Sequence, residues 1–428
     1  GVQTCALPIW VRQQGIVPSA AANCPAAVGS FNAGAGLCTV NVNAGVRPYL
    51  LSYPLPNGDL QPSAGTGDWA DSRSVPTNEN FFTVRADHKI SDKDTLFARY
   101  TFDDATNINR LNFNSYGNND SRNQYAALGE TRIISQAVVN QLLLGYTRSV
   151  SAQANTAIDG IDMPTFNFTT HEGAMGTITT TGLGTWGGDT TFPRASILNM
   201  FQVKDDVFWT AGSHSIKFGE NFQRFRFKYG ALFNGGGAFT FSNIPAFMAG
   251  VVNNFTSLTK SSQGGAYPEQ NVFGMYLQDD YRVSDRLTVN LGLRYEVASV
   301  PKEVYGRVSN LRDFLGINQS PRDLIIGNPA YLNPSLKNFA PRIGIAWDPT
   351  GDGKTSLRAG AGIFHDQITA GPFLFSYHSS LPFVVVGNIN PDPARGIVPR
   401  FPDAFFVQQN LMAGSPNMEG FQYKMNQP

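Results

Sequence analysis

The chain has 428 residues, of which 42% are hydrophobic and 12% aromatic, with 43 Gly and only 15% charged residues, against about a quarter charged in ordinary globular domains. Lys plus Arg and Asp plus Glu each number 32, so no basic excess points to a nucleic-acid partner. No apolar run is long enough for a transmembrane helix, so if this chain crosses a membrane it crosses as a β-barrel, which also satisfies every backbone group in lipid.

The opening residues, GVQTCALPI, share no pattern with the rest of the chain. They resemble a translated sequencing-adapter scar, and residues 1–10, Cys5 among them, are expected to stand outside the fold. Of the remaining cysteines, Cys24 and Cys38 lie close together in a loop-like stretch. A disulfide between them suits an oxidising periplasm or a cell surface. Two unrelated thiols are the alternative, and the spacing of the three cysteines fits no zinc pattern.

From residue 80 the sequence repeats one grammar, two alternating runs joined by a short polar turn. Asn80–Ile90 and Thr95–Asp103 flank Ser91-Asp92-Lys93-Asp94, with Phe82, Val84 and Ala86 of one parity and Thr83, Arg85 and Asp87 of the other. Gln124–Ile133 with Ala137–Arg148 form a second pair, and Phe201–Thr210 with Ser215–Phe227 a third. The fourth pair, Phe273–Val283 and Leu287–Glu296, is the clearest. There Leu287, Val289, Leu291, Leu293 and Tyr295 alternate with Thr288, Asn290, Gly292, Arg294 and Glu296. Asp279 breaks the apolar side near the turn. Phe339–Asp348 and Thr355–Phe364 make the fifth pair around PTGDGK. Strict period two is the signature of a strand with one apolar and one polar face, and a helix of period 3.6 cannot sort residues that way.

Turns within a pair run from about two to six residues, and connections between pairs from roughly 20 to more than 40. Long unstructured connections argue against a compact soluble domain. They suit an outer-membrane barrel, with short turns in the periplasm and long loops outside. A tilted strand of about ten residues, each rising roughly 3.3 Å, crosses the apolar band. Phe81, Phe82, Tyr100, Phe102, Trp209, Tyr281, Tyr295 and Trp347 fall near strand ends, where an interfacial girdle is expected. The charged set, including Arg85, Asp87, Arg99, Arg294, Glu296, Arg342, Asp348 and Arg358, is expected to face a wet lumen, because a charge in mid-bilayer costs about 2–4 kcal/mol. Gly292, Gly344, Gly360 and Gly362 interleave there and leave room for something inside.

Four phrases carry a family resemblance: FFTVRADHKISDKDTLFARYTFDDA, FQVKDDVFWTAGSHSIKFGENFQRF, MYLQDDYRVSDRLTVNLGLRYE and NFAPRIGIAWDPTGDGKTSLRAGAGIF. They resemble the barrel of Oar-like TonB-dependent transporters, over most of the span from Arg47 to Phe364. The resemblance implies a barrel of about 22 strands, plugged by an N-terminal domain and coupled to the TonB energy-transducing complex through a periplasmic peptide. No plug and no TonB-coupling peptide is recognisable here. The chain is therefore expected to be an internal piece of such a receptor, contacting TonB through a region outside it.

The expected fold class is all-β: an antiparallel transmembrane β-barrel fragment of about ten strands, too few to enclose a plugged lumen and so leaving two unpaired edges. Residues 11–78 are expected as a long extracellular loop region, 79–364 as barrel hairpins and 365–428 as a loop leading to the next strand. The expected function is energy-coupled uptake of a large or scarce ligand, such as an oligosaccharide or a siderophore, across the outer membrane of a Gram-negative cell. Loops 104–123, 149–198, 228–270, 297–338 and 365–428 are the candidate capture surface. In them Trp186, Tyr229, Phe239, Tyr267 and Tyr377 either stack on ligand or pack the loops together. A passive channel or a barrel-type adhesin is the alternative, and a soluble glycosidase-like enzyme is a third class.

No catalytic, metal or cofactor site is expected. Gly351–Thr355 reads GDGKT, but the first Gly of a phosphate loop is replaced by Asp348, and a hairpin turn is the better reading. His88, His171, His214, His365 and His378 form no ligand pattern, and no nucleophile-elbow motif is present. The acidic pairs Asp103-Asp104, Asp205-Asp206 and Asp279-Asp280 lie on expected strands without a converging cleft.

Overall fold

The computed structural model describes residues 2–158, 165–312, 323–333, 335–365, 381–415 and 423–424. Ten strands form one antiparallel sheet: β1 (Thr77–Lys89), β2 (Asp94–Asn112), β3 (Ser115–Ser135), β4 (Val138–Ala157), β5 (Arg194–Ala211), β6 (His214–Ala231), β7 (Pro268–Ser284), β8 (Leu287–Ala298), β9 (Phe339–Trp347) and β10 (Leu357–Gly362). Each pairs with its neighbour in sequence, so the sheet is a meander from β1 to β10. A short strand, Lys302–Glu303, adds to the start of β7. Among the described residues β1 and β10 are edges, and the sheet stays open.

The alternation in the sequence becomes two faces. Leu277, Leu293 and Pro341 lie side by side across β7, β8 and β9, as do Gln278, Gly292 and Arg342 on the opposite face. Leu291, Leu293, Leu277, Val203, Phe218 and Ile343 are all exposed. A soluble sandwich would bury them in a dry core. Here they form an outward apolar belt. At the short-turn end the belt is rimmed by Trp209, Tyr281 and Trp347. At the other end it is rimmed by Phe82 stacked on Phe102 (5.4 Å), Tyr146 against Phe201 (5.0 Å) and Tyr295 against Phe339 (5.0 Å). Phe81, expected in this girdle, instead shares the inward face, since it stands opposite Asp103 in the register that opposes Phe82 to Phe102.

The expected loop 104–123 is a strand hairpin. β2 and β3 run for 19 and 21 residues and turn only at Phe113-Asn114. Strands of that length reach about 60–70 Å at roughly 3.3 Å per residue, well beyond what the apolar band needs. The extra length of ladder is hidden in the sequence because the stretch DATNINRLNFNSYGNNDSRN has no apolar face. Outside lipid, period two has nothing to select it, yet the backbone ladder continues.

The PTGDGK segment is a tight turn. The Asp348 carboxylate accepts N–H bonds from Thr350, Gly351 and Gly353 (3.1, 2.7 and 2.9 Å), which holds its pKa below the usual carboxylate range. Gly351 and Gly353 adopt φ of 71° and 72°, where a side chain is strained.

The segment before β1 and the long connections, expected as loops, build a second folded unit at the end opposite the short turns. Val2–Ala6 pairs with Thr66–Asp71, so residues expected outside the fold occupy a strand position. Ile16–Pro18, Leu37–Val40 and Gly29–Asn32 form a three-stranded sheet in which Cys24 and Cys38 are joined by a disulfide, with Cα atoms 5.8 Å apart. A six-stranded sheet gathers strands from three connections: Thr177–Thr180 and Trp186–Gly187, Ala238–Phe241 and Asn254–Leu258, Val386–Ile389 and Ala413–Ser415. The helix Ile244–Ala249 is capped by the Asn243 side chain, which accepts from the Ala246 N–H, and closes at Gly250.

One apolar core joins these pieces. Tyr49 from the N-terminal helix Arg47–Ser52 packs against Trp186 (5.0 Å), Phe168 (5.7 Å) and Phe401 (5.1 Å). The hairpin tip delivers Phe113 to the same core, 4.7 Å from Tyr53. Arg12 is buried beneath it, donating to the carbonyls of Leu7 (2.8 Å), Tyr53 (2.6 Å) and Pro54. Burial lowers its guanidinium to about 10, so it stays charged at neutral pH.

Two outcomes test this architecture. Leu291→Arg, on the outward face, is expected to destabilise the protein in phospholipid by about 2–4 kcal/mol, whereas Asn290→Arg, one residue away on the inward face, is expected to be close to neutral. Equilibrium unfolding from vesicles measures both. Cys38→Ser is expected to destabilise the loop-side unit by about 3 kcal/mol, the order given by a loop of this length. It should show as earlier proteolytic cleavage before residue 71, with the sheet's heat-modifiable gel mobility unchanged.

Candidate lumen wall and loop-side surface

The inward face is the surface on which chemistry can be placed. Asp206 on β5 lies across Gly219 on β6 from Tyr276 on β7. A Cβ at Gly219 would stand 2.5 Å from Asp206 Oδ1 and 3.1 Å from the Tyr276 ring. Glycine there is what lets the Tyr276 hydroxyl reach across a strand and donate to Asp206. Lys204 bonds the other carboxylate oxygen at 2.7 Å, and Lys217 approaches it at 3.8 Å. The Asp206 side chain is only 6% exposed, while both lysines keep about a third of theirs in solvent. The carboxylate is thus the buried hub of a satisfied network rather than a free acid.

The same device recurs along the wall. Phe97 lies over Gly129, and the Arg294 guanidinium lies over Gly274 while it pairs with Glu296. The space above these glycines is filled by large side chains of neighbouring strands. Gly292, Gly344, Gly360 and Gly362, read from the sequence as leaving room, do so at the β8–β10 end. They floor an open trough of about 430 Å³ bordered by Gln278, Asn290, Arg342 and Phe364. Arg342 lies over the Phe364 ring at 4.4 Å. Arg85 pairs with Asp87 at 2.6 Å, and its guanidinium covers Phe97 at 4.3 Å. Asp348 does not join this wall, because its carboxylate is used by the turn.

The acidic doublets separate once the strands are in place. Asp206, Asp280 and Asp103 share the inward face, while Asp205, Asp279 and Asp104 point outward, because adjacent strand residues face opposite sides. Neighbouring carboxylates on one strand therefore cannot converge on one substrate. His214 pairs with Asp279 at 2.6 Å and stacks on Tyr281 at the short-turn rim. His365 lies 3.2 Å from the Phe339 carbonyl. Among the described residues no group of His, Cys, Asp and Glu could hold a metal ion. His378 and Tyr377 fall outside the described residues.

Of the aromatic residues in the candidate capture loops, Trp186 and Phe239 are fully buried in the loop-side core, so these two pack the loops together. The Trp186 indole N–H donates to Ser52 Oγ at 2.8 Å. Tyr229 is half-buried. Tyr267 is half-buried too, edge-on to the exposed Tyr305 at 5.1 Å, with Arg307 over the Tyr305 ring at 5.1 Å. Sequence reasoning misses Tyr305 and Arg307, because nothing marks them apart from other loop residues.

Asp206→Ala is expected to destabilise the sheet by about 2–3 kcal/mol, since it strands two cations and a hydroxyl. The lower part of the buried-pair range applies because the lysines are partly solvated. A double-mutant cycle with Tyr276→Phe is expected to show about 1 kcal/mol of coupling, and independent, additive losses would contradict the network.

Among solved structures, P. aeruginosa FpvA, determined with heterologous pyoverdines, aligns at 11% identity over 77% of this chain and 42% of its own, with a TM-score of 0.43. The ferric-catecholate import receptor Fiu of E. coli K12 aligns at 11% identity over 73% and 49%, with a TM-score of 0.40. The outer membrane transporter YddB of Escherichia coli aligns at 11% identity over 83% and 48%, with a TM-score of 0.35. The chain spans less than half the length of each. No curated protein matches it in sequence. Residues 12–428 match the family described as the outer membrane beta barrel domain. With an outward apolar belt, an inward charged wall and that match over nearly its whole length, the chain belongs to the outer membrane β-barrel domain family, and its place is the outer membrane of a Gram-negative cell.

Proposed function

We propose that the chain forms part of the barrel of a TonB-dependent receptor that takes up a large or scarce ligand, of the oligosaccharide or siderophore class. The observation that carries this reading is the inward wall. Small barrels of about eight strands fill their interior with their own side chains. This wall is open and ion-paired across its ten strands and glycine-floored at the β8–β10 end, a surface suited to being covered by a separate globular plug. The four hairpin phrases that resemble Oar-like transporters support the same reading. The loop-side unit, with Tyr267, Tyr305 and Arg307 at its surface, is the capture side, and coupling to TonB runs through a region outside this chain.

The test is uptake by cells expressing the full-length receptor, over a panel of oligosaccharides and ferric siderophores. Accumulation of one ligand class is expected, lost on deletion of TonB or collapse of the proton gradient. Uptake that persists unchanged without TonB would overturn the proposal in favour of a passive channel. Surface binding with no uptake would favour an adhesin.

A further inference from the structure

β6 changes character at Phe222. Up to that residue its outward face carries Ile216, Phe218 and Phe222, interrupted by Glu220. Above it the same face carries Arg224, Arg226 and Lys228, while Phe225, Phe227 and Tyr229 turn inward. Exposed and half-buried residues alternate from Phe218 to Tyr229 without a break, and the pairing with β5 has no register shift. The face has not slipped; its surroundings have changed. The change falls at the level of the aromatic rim, where Arg224 stands opposite Phe201, at the long-connection end, where acyl chains give way to head groups.

Neighbouring strands add to the basic surface. Arg226 stands opposite Asn199 on β5, and Arg148 on β4 stands opposite the same residue, donating to its Oδ1 at 2.8 Å. Glu269 on β7 pairs with Arg224 (3.0 Å) and Arg226 (2.8 Å). Lys228 lies 5.5 Å from the Tyr267 ring, and Arg307 lies 5.8 Å from that ring on its way to Tyr305. Across the four adjacent strands β4 to β7, about 5 Å apart, this level of the outward face thus carries four cations, Arg148, Arg224, Arg226 and Lys228, and one carboxylate, Glu269, which pairs with Arg224 and Arg226. A face turned only to water ordinarily mixes the two signs.

We propose that Arg148, Arg224, Arg226 and Lys228 form a binding surface for the phosphate-bearing glycolipid of the outer leaflet. The phosphates sit in the arginine forks, and the acyl chains lie along Phe201, level with Arg224, and along Val203 and Phe222 directly below. Charge complementarity selects a phosphate, which arginine engages with two parallel bonds. Continuity with the apolar belt selects a ligand that carries its anion on a hydrocarbon tail. The site is independent of the ligand that the receptor transports.

The experiment uses the chain extracted from outer membranes into detergent, with binding of bisphosphorylated lipid A and of enzymatically dephosphorylated lipid A compared by native mass spectrometry. The wild type is expected to prefer the phosphorylated form by about tenfold or more, given the contribution of each basic residue at a charged membrane surface. The combined Arg148→Ala, Arg224→Ala, Arg226→Ala and Lys228→Ala variant is expected to lose that preference. Arg99→Ala with Arg358→Ala, which removes inward cations, is expected to keep it. Should the fourfold variant fail to insert, the wild-type comparison decides alone, and equal binding of the two lipids overturns the proposal. Equal loss in the inward-facing variant, or displacement by inorganic phosphate regardless of acyl chains, overturns it as well.

Discussion

Backbone pairing in hydrocarbon governs this molecule. No water is available at the apolar belt to satisfy a free N–H or C=O, so each spanning segment must give all its bonds to a neighbour. That requirement fixes the antiparallel meander and the next-neighbour topology. It also fixes the two-faced side-chain pattern, because a ladder with lipid on one side and water on the other sorts residues by parity. The long β2–β3 hairpin shows the ladder outlasting its cause. It continues past the point where lipid demands it and carries Phe113 to the loop-side core.

The inward face solves a different problem. A wall of charged side chains in a partly enclosed space needs each buried group satisfied. Glycines placed between large polar residues allow pairing across two strands instead of one. Asp206, Gly219 and Tyr276 illustrate the device, and Gly274 leaves room in the same way for the Arg294 guanidinium that pairs with Glu296 on its own strand. The cost of glycine in a strand, its backbone entropy and missing side chain, is offset by the network it permits.

The same physics decides how much of this is legible in the sequence. All five hairpins and their faces can be read, because lipid and water impose a period-two code on Leu291 and Arg294 alike. The girdle is readable except for Phe81, whose inward parity is masked by its aromatic neighbour Phe82. The upper halves of β2, β3 and β4 are not readable as strands, since both faces there meet polar surroundings. The loop-side unit is hidden for a further reason. Its core residues, among them Tyr49, Trp186, Phe239 and Phe401, come from four separate stretches, each too short to show periodicity. Trp186 and Phe239 therefore look like surface aromatics, and the buried Arg12 resembles any loop arginine. The pairing of Cys24 with Cys38 stays open in the sequence for the same cause, as their proximity depends on a sheet formed by Ile16–Pro18, Gly29–Asn32 and Leu37–Val40.

The seating of Phe113 beneath Tyr53 ties the hairpin crest to a hydrophobic centre shared by the neighbouring connections. Such loops are not interchangeable modules. Exchange of residues 165–193 with those of another barrel would remove Phe168 and Trp186 and leave Tyr49 with Phe401 alone of its three aromatic partners. A change at an exposed rim position such as Tyr305 leaves that shared centre untouched, whereas a change of a whole segment does not.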